Sequence, residues 1–166
     1  MSCNKYEDHI LIFPEDEANS KIALGFVLCS YVREDKVQIL PYTKGWKKVI
    51  EKFKSYHIPQ LKKYISRRLL LLIDFDNDLN RLSKVKSEVP EDLMDRVFIL
   101  GTKTEPEKLK QAINPIRSFE NIGKKLADEC VDLENGGLWE HELIIINKHE
   151  RKRLIEEVRP FLFDVI

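Results

Sequence analysis

Leu69–Asp78 reads LLLLIDFDND, and this stretch decides the fold class. Five consecutive apolar residues, Leu69 through Ile73, end in acids at Asp74, Asp76 and Asp78. The run is too short to span a bilayer. It has the length of a strand buried on both faces, the habit of strands in parallel sheets. Ligands of open α/β sheets bind just outside the carboxyl ends of the strands. Asp74 and Asp76 therefore fall where chemistry is expected, and two close carboxylates there suit a divalent cation.

Working outward, short apolar runs alternate with amphipathic ones. His9–Phe13 reads as a first strand, followed by the acidic loop Pro14-Glu15-Asp16-Glu17 and a helix starting near Asn19 or Ser20. Lys36–Pro41 reads as a second strand. Thr43-Lys44-Gly45 then turns into a helix over about Trp46–Lys54, with Trp46, Val49, Ile50 and Phe53 at helical spacing. Pro59 opens a further amphipathic piece, Gln60–Arg67. After the acids, Leu79–Val85 reads as a short helix and Arg96–Leu100 as a fourth strand. Thr104-Glu105-Pro106-Glu107 carries a capping-box pattern opening a helix that Pro115 stops. Ser118–Cys130 reads as a helix, and Gly136-Gly137 breaks the chain. Leu138–Ile146 fits a helix or a strand. Asn147 is placed as the N-cap of a last helix, with Glu150 at its third position.

This order predicts an α/β fold: a mainly parallel sheet with helices on both faces and a C-terminal helical extension. The 166 residues are expected to form a single domain, 1–166, with the α/β core over 1–115 and the extension over 116–166. Lys plus Arg and Asp plus Glu number 28 each, so the formal net charge is zero. That argues against a wholly basic nucleic-acid coat and leaves room for a local basic groove. Cys3, Cys29 and Cys130 are scattered, with no CxxC spacing, as expected of reduced thiols in the cytoplasm. No export signal and no membrane-spanning run is legible, so a cytoplasmic chain without membrane contact is expected. Trp139 with the isoleucine run after it reads as core or as a homo-oligomer contact.

The chemistry rests on acids that parallel strands bring to one edge. Glu15 with Asp74 and Asp76 makes an oxygen-rich set suited to Mg²⁺ or Mn²⁺, with Asp78 as an outer or accessory ligand. Such a metal can polarise a phosphate, and a carboxylate beside it can act as acid or base. Glu15 is the candidate for that role, and Glu17 competes with it. Lys44-Gly45, at a strand-to-helix turn, is a candidate substrate site for the phosphate of a nucleic acid or another phosphate-bearing ligand. Trp46 or Tyr42 could stack on a base there. The run His141–Ile145 is not the zinc pattern HExxH, because its fifth residue is isoleucine.

A strand ending in glutamate (Ile10–Glu15) with a later strand ending in Asp-x-Asp (Leu69–Asp76) resembles the Toprim domain. That domain is the metal-binding nucleotidyl-transfer and hydrolysis fold of topoisomerases, bacterial primases and overcoming-lysogenisation-defect nucleases. The resemblance covers roughly Ile10–Ile113 and looks closest to small, stand-alone bacterial Toprim-like proteins. It implies Glu15 as acid/base, Asp74 and Asp76 as Mg²⁺ ligands, and hydrolysis of nucleic-acid phosphodiesters. The glycine common after the family's glutamate is Asp16 here, and no Gly-Glu follows the Asp-x-Asp. An alternative is therefore a non-catalytic Toprim-like binding or assembly module. A second alternative resembles a response-regulator receiver phosphorylated at Asp74, with Glu15, Asp16, Thr102 and Lys148 around it. That reading requires Leu143–Ile146 to be a strand of the main sheet.

Overall fold

The computed structural model describes residues 2–113, 118–131 and 137–164. Strands β1 (His9–Pro14), β2 (Val37–Ile39), β3 (Arg67–Leu72) and β4 (Val97–Leu100) form one all-parallel sheet in the order β2-β1-β3-β4. Its register sets Ile12 beside Leu70, and Leu70 beside Phe98. Successive side chains point to opposite faces, so each near-continuous apolar run supplies two cores at once.

One face presents Ile10, Ile12, Leu70, Phe98 and Leu100 to helices α1 (Glu17–Val27), α5 (Pro106–Ala112) and α6 (Phe119–Val131). The other presents Leu11, Phe13, Leu69, Leu71 and Ile99 to α2 (Trp46–Lys52), α3 (Ile58–Lys63) and α4 (Leu79–Ser87). This is the α/β architecture with helices on both faces. The last elements, α7 (Lys148–Glu157) and α8 (Arg159–Leu162), close over the first face. Residues beyond 115 complete that layer. A Cβ on Gly25 would lie 1.8 Å from the Glu120 carbonyl oxygen, and one on Gly123 would lie 1.9 Å from that of Ile22. Two glycines thus let the backbones of α1 and α6 touch. The boundary expected at 115/116, with Pro115 and Gly136, lies outside the described residues.

Four local expectations are corrected. Pro59 does not open a separate helix: α2 runs into α3 through a π-turn over Phe53–His57, in which the Ile58 amide donates to the Phe53 carbonyl. A proline ring clashes with the carbonyl four residues before it, and the wider turn relieves that clash. The Thr104 capping box does not form. Glu105 is the N-cap of α5 without a side-chain bond, and Thr104 is buried. Leu143–Ile146 is not a strand; 3₁₀ turns occupy Gly137–Glu140 and Ile145–Asn147.

The fourth correction explains the third. Asn147 stands at the N-cap of α7 yet makes no capping bond. Its Oδ1 instead accepts from the Gly101 amide at 3.0 Å, and its Nδ2 donates to the Gly101 carbonyl at 2.7 Å. Glu150 Oε1 accepts from the Ile99 amide at 3.2 Å, and Arg153 donates to the Met94 carbonyl. Side chains from the start of α7 thus pair with the open edge of β4. They satisfy buried backbone groups that a fifth strand would otherwise take. Among the described residues no helix is long and apolar enough to cross a membrane.

Candidate functional site

In the order β2-β1-β3-β4 the chain leaves β1 toward one side and later returns to build on the other. The switch point lies between β1 and β3, where a crevice opens beyond the strand ends. Glu15 follows β1 directly and Asp74 lies just beyond β3, so adjacent strands deliver both acids to this crevice. Both are buried. Glu15 Oε2 accepts from the Asp74 amide at 2.8 Å, and the Glu15 amide donates to the Leu72 carbonyl at 2.9 Å. Glu17 lies elsewhere, exposed and paired with Lys21 at 3.1 Å. Glu15 is therefore the acid of the first strand end.

Two residues that motif reading passed over hold this pair. Asn19, buried in the first turn of α1, donates through Nδ2 to Asp74 Oδ1 at 2.9 Å and to Asp16 Oδ1 at 3.0 Å. Asp16 is also the N-cap of α1, accepting from the Asn19 amide at 2.9 Å. Arg81, on α4, donates to the Asp74 carbonyl at 2.7 Å, and its Nη2 lies 3.5 Å from Asp76 Oδ2. Its guanidinium lies 5.1 Å from the centroid of the Trp46 ring, a cation–π contact. Asn19 announces itself only as a polar residue three positions after an N-cap, and Arg81 has no sequence signal.

The other candidates are dispersed. Asp76 and Asn77 take left-handed backbone with φ of 53° and 58°, which Asp and Asn tolerate better than most residues. This turn carries Asp76 out of the crevice, leaving its side chain 62% exposed. Asp78 is the N-cap of α4, accepting from the Asn80 amide at 3.0 Å. Lys44 is exposed, and Gly45 caps α2 with φ of 119°. Thr43 Oγ1 donates to the Glu15 carbonyl at 3.3 Å, which ties that loop to the site. Thr102 donates to the Thr104 carbonyl at 2.6 Å, and Lys148 is an exposed residue opening α7. The receiver-like constellation therefore lacks its fifth strand among the described residues.

Burial pushes the Asp74 carboxyl up to about 8; the Asn19 hydrogen bond opposes this, and the charges of Asp16 and Glu15 add to it. Burial also raises Glu15, against the hydrogen bond from the Asp74 amide and the charge of Arg81. Desolvation thus disfavours the charged form of both acids, and repulsion among Glu15, Asp16 and Asp74 adds to it. Among the described residues no three His, Cys, Asp or Glu side chains form a ready cage for a metal. The donor set suits Mg²⁺ in the looser sense usual for that ion, which takes one or two carboxylates and completes its shell with water and substrate phosphate. Asp74, buried in the crevice, and Asp76, exposed beside Arg81, are the carboxylates that could serve in that way, with Glu15 next to Asp74.

The fold and crevice define a parallel α/β protein with a buried acid pair at its switch point. Comparison of the chain with protein-family models, with curated proteins and with solved structures finds no match.

Proposed function

We propose that this chain is a Toprim-like domain carrying out Mg²⁺- or Mn²⁺-dependent phosphoryl or nucleotidyl transfer, with hydrolysis of nucleic-acid phosphodiesters as its reaction. One observation carries the reading: the Glu15 carboxylate accepts from the Asp74 amide at the strand-order reversal, so two buried acids adjoin. The nearby cation, Arg81, is engaged by the Asp74 carbonyl and Asp76 and leaves the carboxylates of Glu15 and Asp74 short of positive charge. A bound divalent ion would supply that charge and polarise a phosphate oxygen. Asp74 and Asp76 are the proposed ligands, Asp76 by turning from Arg81. Glu15 is the proposed acid/base, since burial raises its proton affinity above that of an ordinary glutamate. Trp46, backed by Arg81, offers a wall on which a base could stack, and Lys44-Gly45 flanks it on the Thr43 loop.

The test combines calorimetry with Mg²⁺ and Mn²⁺ and turnover of a single-stranded oligonucleotide. Asp74→Ala is expected to abolish metal binding. Glu15→Gln is expected to keep metal binding while losing roughly 10²–10⁴ in rate. No heat of binding up to about 10 mM metal, a concentration at which even weak millimolar sites fill, removes the proposal.

A second reading is favoured by the bonding inside the site. Asn19 bridges Asp16 and Asp74, and Arg81 engages Asp76, so the acids already have partners within the chain. A Toprim-like module that binds nucleic acid or assembles with another protein without catalysis would keep that arrangement. Binding of the oligonucleotide with no turnover in either metal selects it.

A further inference from the structure

Arg81 joins the acids of the crevice to its aromatic wall. Its guanidinium donates to the Asp74 carbonyl at 2.7 Å, and its Nη2 lies 3.5 Å from Asp76 Oδ2. The same group stands 5.1 Å from the centroid of the Trp46 ring. The left-handed turn at Asp76 and Asn77, with Asp78 as N-cap of α4, places Arg81 in the first turn of that helix. A cation there opposes the helix dipole, whose positive end lies at the N-terminus. Contacts with Asp74, Asp76 and Trp46 hold the guanidinium in place, and helix electrostatics do not. The side chain is largely buried, and its Nε has no hydrogen-bond partner among the described residues. Arg81 therefore keeps a donor in reserve while it holds Asp76.

A carboxylate engaged by a guanidinium is not free to serve a second cation, and a divalent ion beside Arg81 would repel it. Asp76 is the exposed member of the pair, so it can change partner without opening the core. A planar guanidinium recognises phosphate through two parallel hydrogen bonds, and an aromatic face accepts an unpaired base. Resting on the metal-dependent reading above, we propose that Arg81 is a positioning residue that couples metal binding to the capture of single-stranded nucleic acid. In the metal-free protein Arg81 holds Asp76 and backs the Trp46 ring. Once Asp76 serves the metal, Arg81 is free for the phosphate next to a base stacked on Trp46. Paired bases gain nothing from Trp46, so a duplex is the disfavoured substrate.

The test uses the full chain, Mg²⁺ and a single-stranded oligonucleotide. Calorimetry gives the Mg²⁺ affinity, and tryptophan emission reports on Arg81, with Trp46→Phe separating the Trp46 signal from that of Trp139. Mg²⁺ is expected to shift the Trp46 emission. In the Glu15→Gln protein, which should leave the strand intact, Mg²⁺ is expected to tighten oligonucleotide binding about tenfold, and the strand to tighten Mg²⁺ by the same factor. Arg81→Gln is expected to bind Mg²⁺ alone about two- to fivefold tighter, the worth of one exposed ion pair. It is also expected to lose the emission shift and most of the coupling. The wild-type emission needs no Arg81 variant and decides the point should Arg81→Gln fail to fold. No Mg²⁺ binding up to about 10 mM removes the metal reading and this coupling together. With Mg²⁺ bound, three results overturn the coupling alone: an unchanged Trp46 emission; unchanged Mg²⁺ affinity and coupling in a folded Arg81→Gln protein; or equal affinity for a duplex of the same sequence.

Discussion

Replacing Asp74 by asparagine removes one buried charge and leaves the local bonding nearly intact. An asparagine Oδ1 can still accept from Asn19, and the backbone bonds to Glu15 and Arg81 do not involve the side chain. The folded protein holds the Asp74 proton until about pH 8, whereas an unfolded aspartate loses it near 3.8. Between those values the folded state binds the extra proton, so this carboxyl's contribution is fully present below 3.8, falls as pH rises, and levels off above about 8. From about pH 6.5 to about pH 9 the wild-type protein crosses roughly 1.5 pH units of that slope. At 1.36 kcal/mol each, this is about 2 kcal/mol. The assay is urea unfolding of both proteins at matched pH, taking the difference between them. That difference cancels titrations common to both, including His57, which burial lowers to about 4, and the buried thiols of Cys3 and Cys29. Asp74→Asn is expected to gain about 2 kcal/mol on the wild type across this window, roughly 1 M in urea midpoint. A difference flat to within about 0.5 kcal/mol would show that burial does not hold the Asp74 proton, and the reading of the crevice as desolvated would go with it.

The same proton bears on metal binding. Because a bound cation must displace it, Mg²⁺ affinity is expected to rise about tenfold per pH unit up to pH 8. Calorimetry in buffers of different protonation enthalpy reads the proton released, and a pH-independent affinity contradicts the assignment. Asn147→Ala strips partners from the Gly101 amide and carbonyl and is expected to cost about 2–4 kcal/mol. A melting temperature lowered by roughly 5–15 °C is the readout, and a loss below about 1 kcal/mol would mean that α7 does not seal the β4 edge. Gly123→Ala forces a methyl against the Ile22 carbonyl and is expected to cost about 1–3 kcal/mol in denaturant unfolding. A neutral result would show that α1 and α6 part without penalty.

Most of the sheet is legible in the sequence. Ile10–Phe13, Leu69–Ile73 and Val97–Leu100 are short apolar runs separated by amphipathic ones, and their meaning depends only on local periodicity. Glu15 and Asp74 were legible for the same reason, since acids at the ends of parallel strands share an edge whatever the sequence between them. Asp76 and Asp78 look equivalent to Asp74 in sequence and are not so in space. A left-handed turn sends Asp76 to solvent, and Asp78 caps α4.

The sequence by itself determined the strands, their two apolar faces and the acids at their ends, because these follow from alternation along the backbone. That Asn19 and Arg81 hold the acid pair, and that Asn147 and Glu150 stand in for a fifth strand, emerges only from the packing of helices on the sheet. The Asn19–Asp74, Asn147–Gly101 and Glu150–Ile99 bonds join residues 55, 46 and 51 apart along the chain, whereas the Arg81–Asp74 bond spans 7. Such contacts depend on how helices pack against the sheet, which no local pattern of residues encodes.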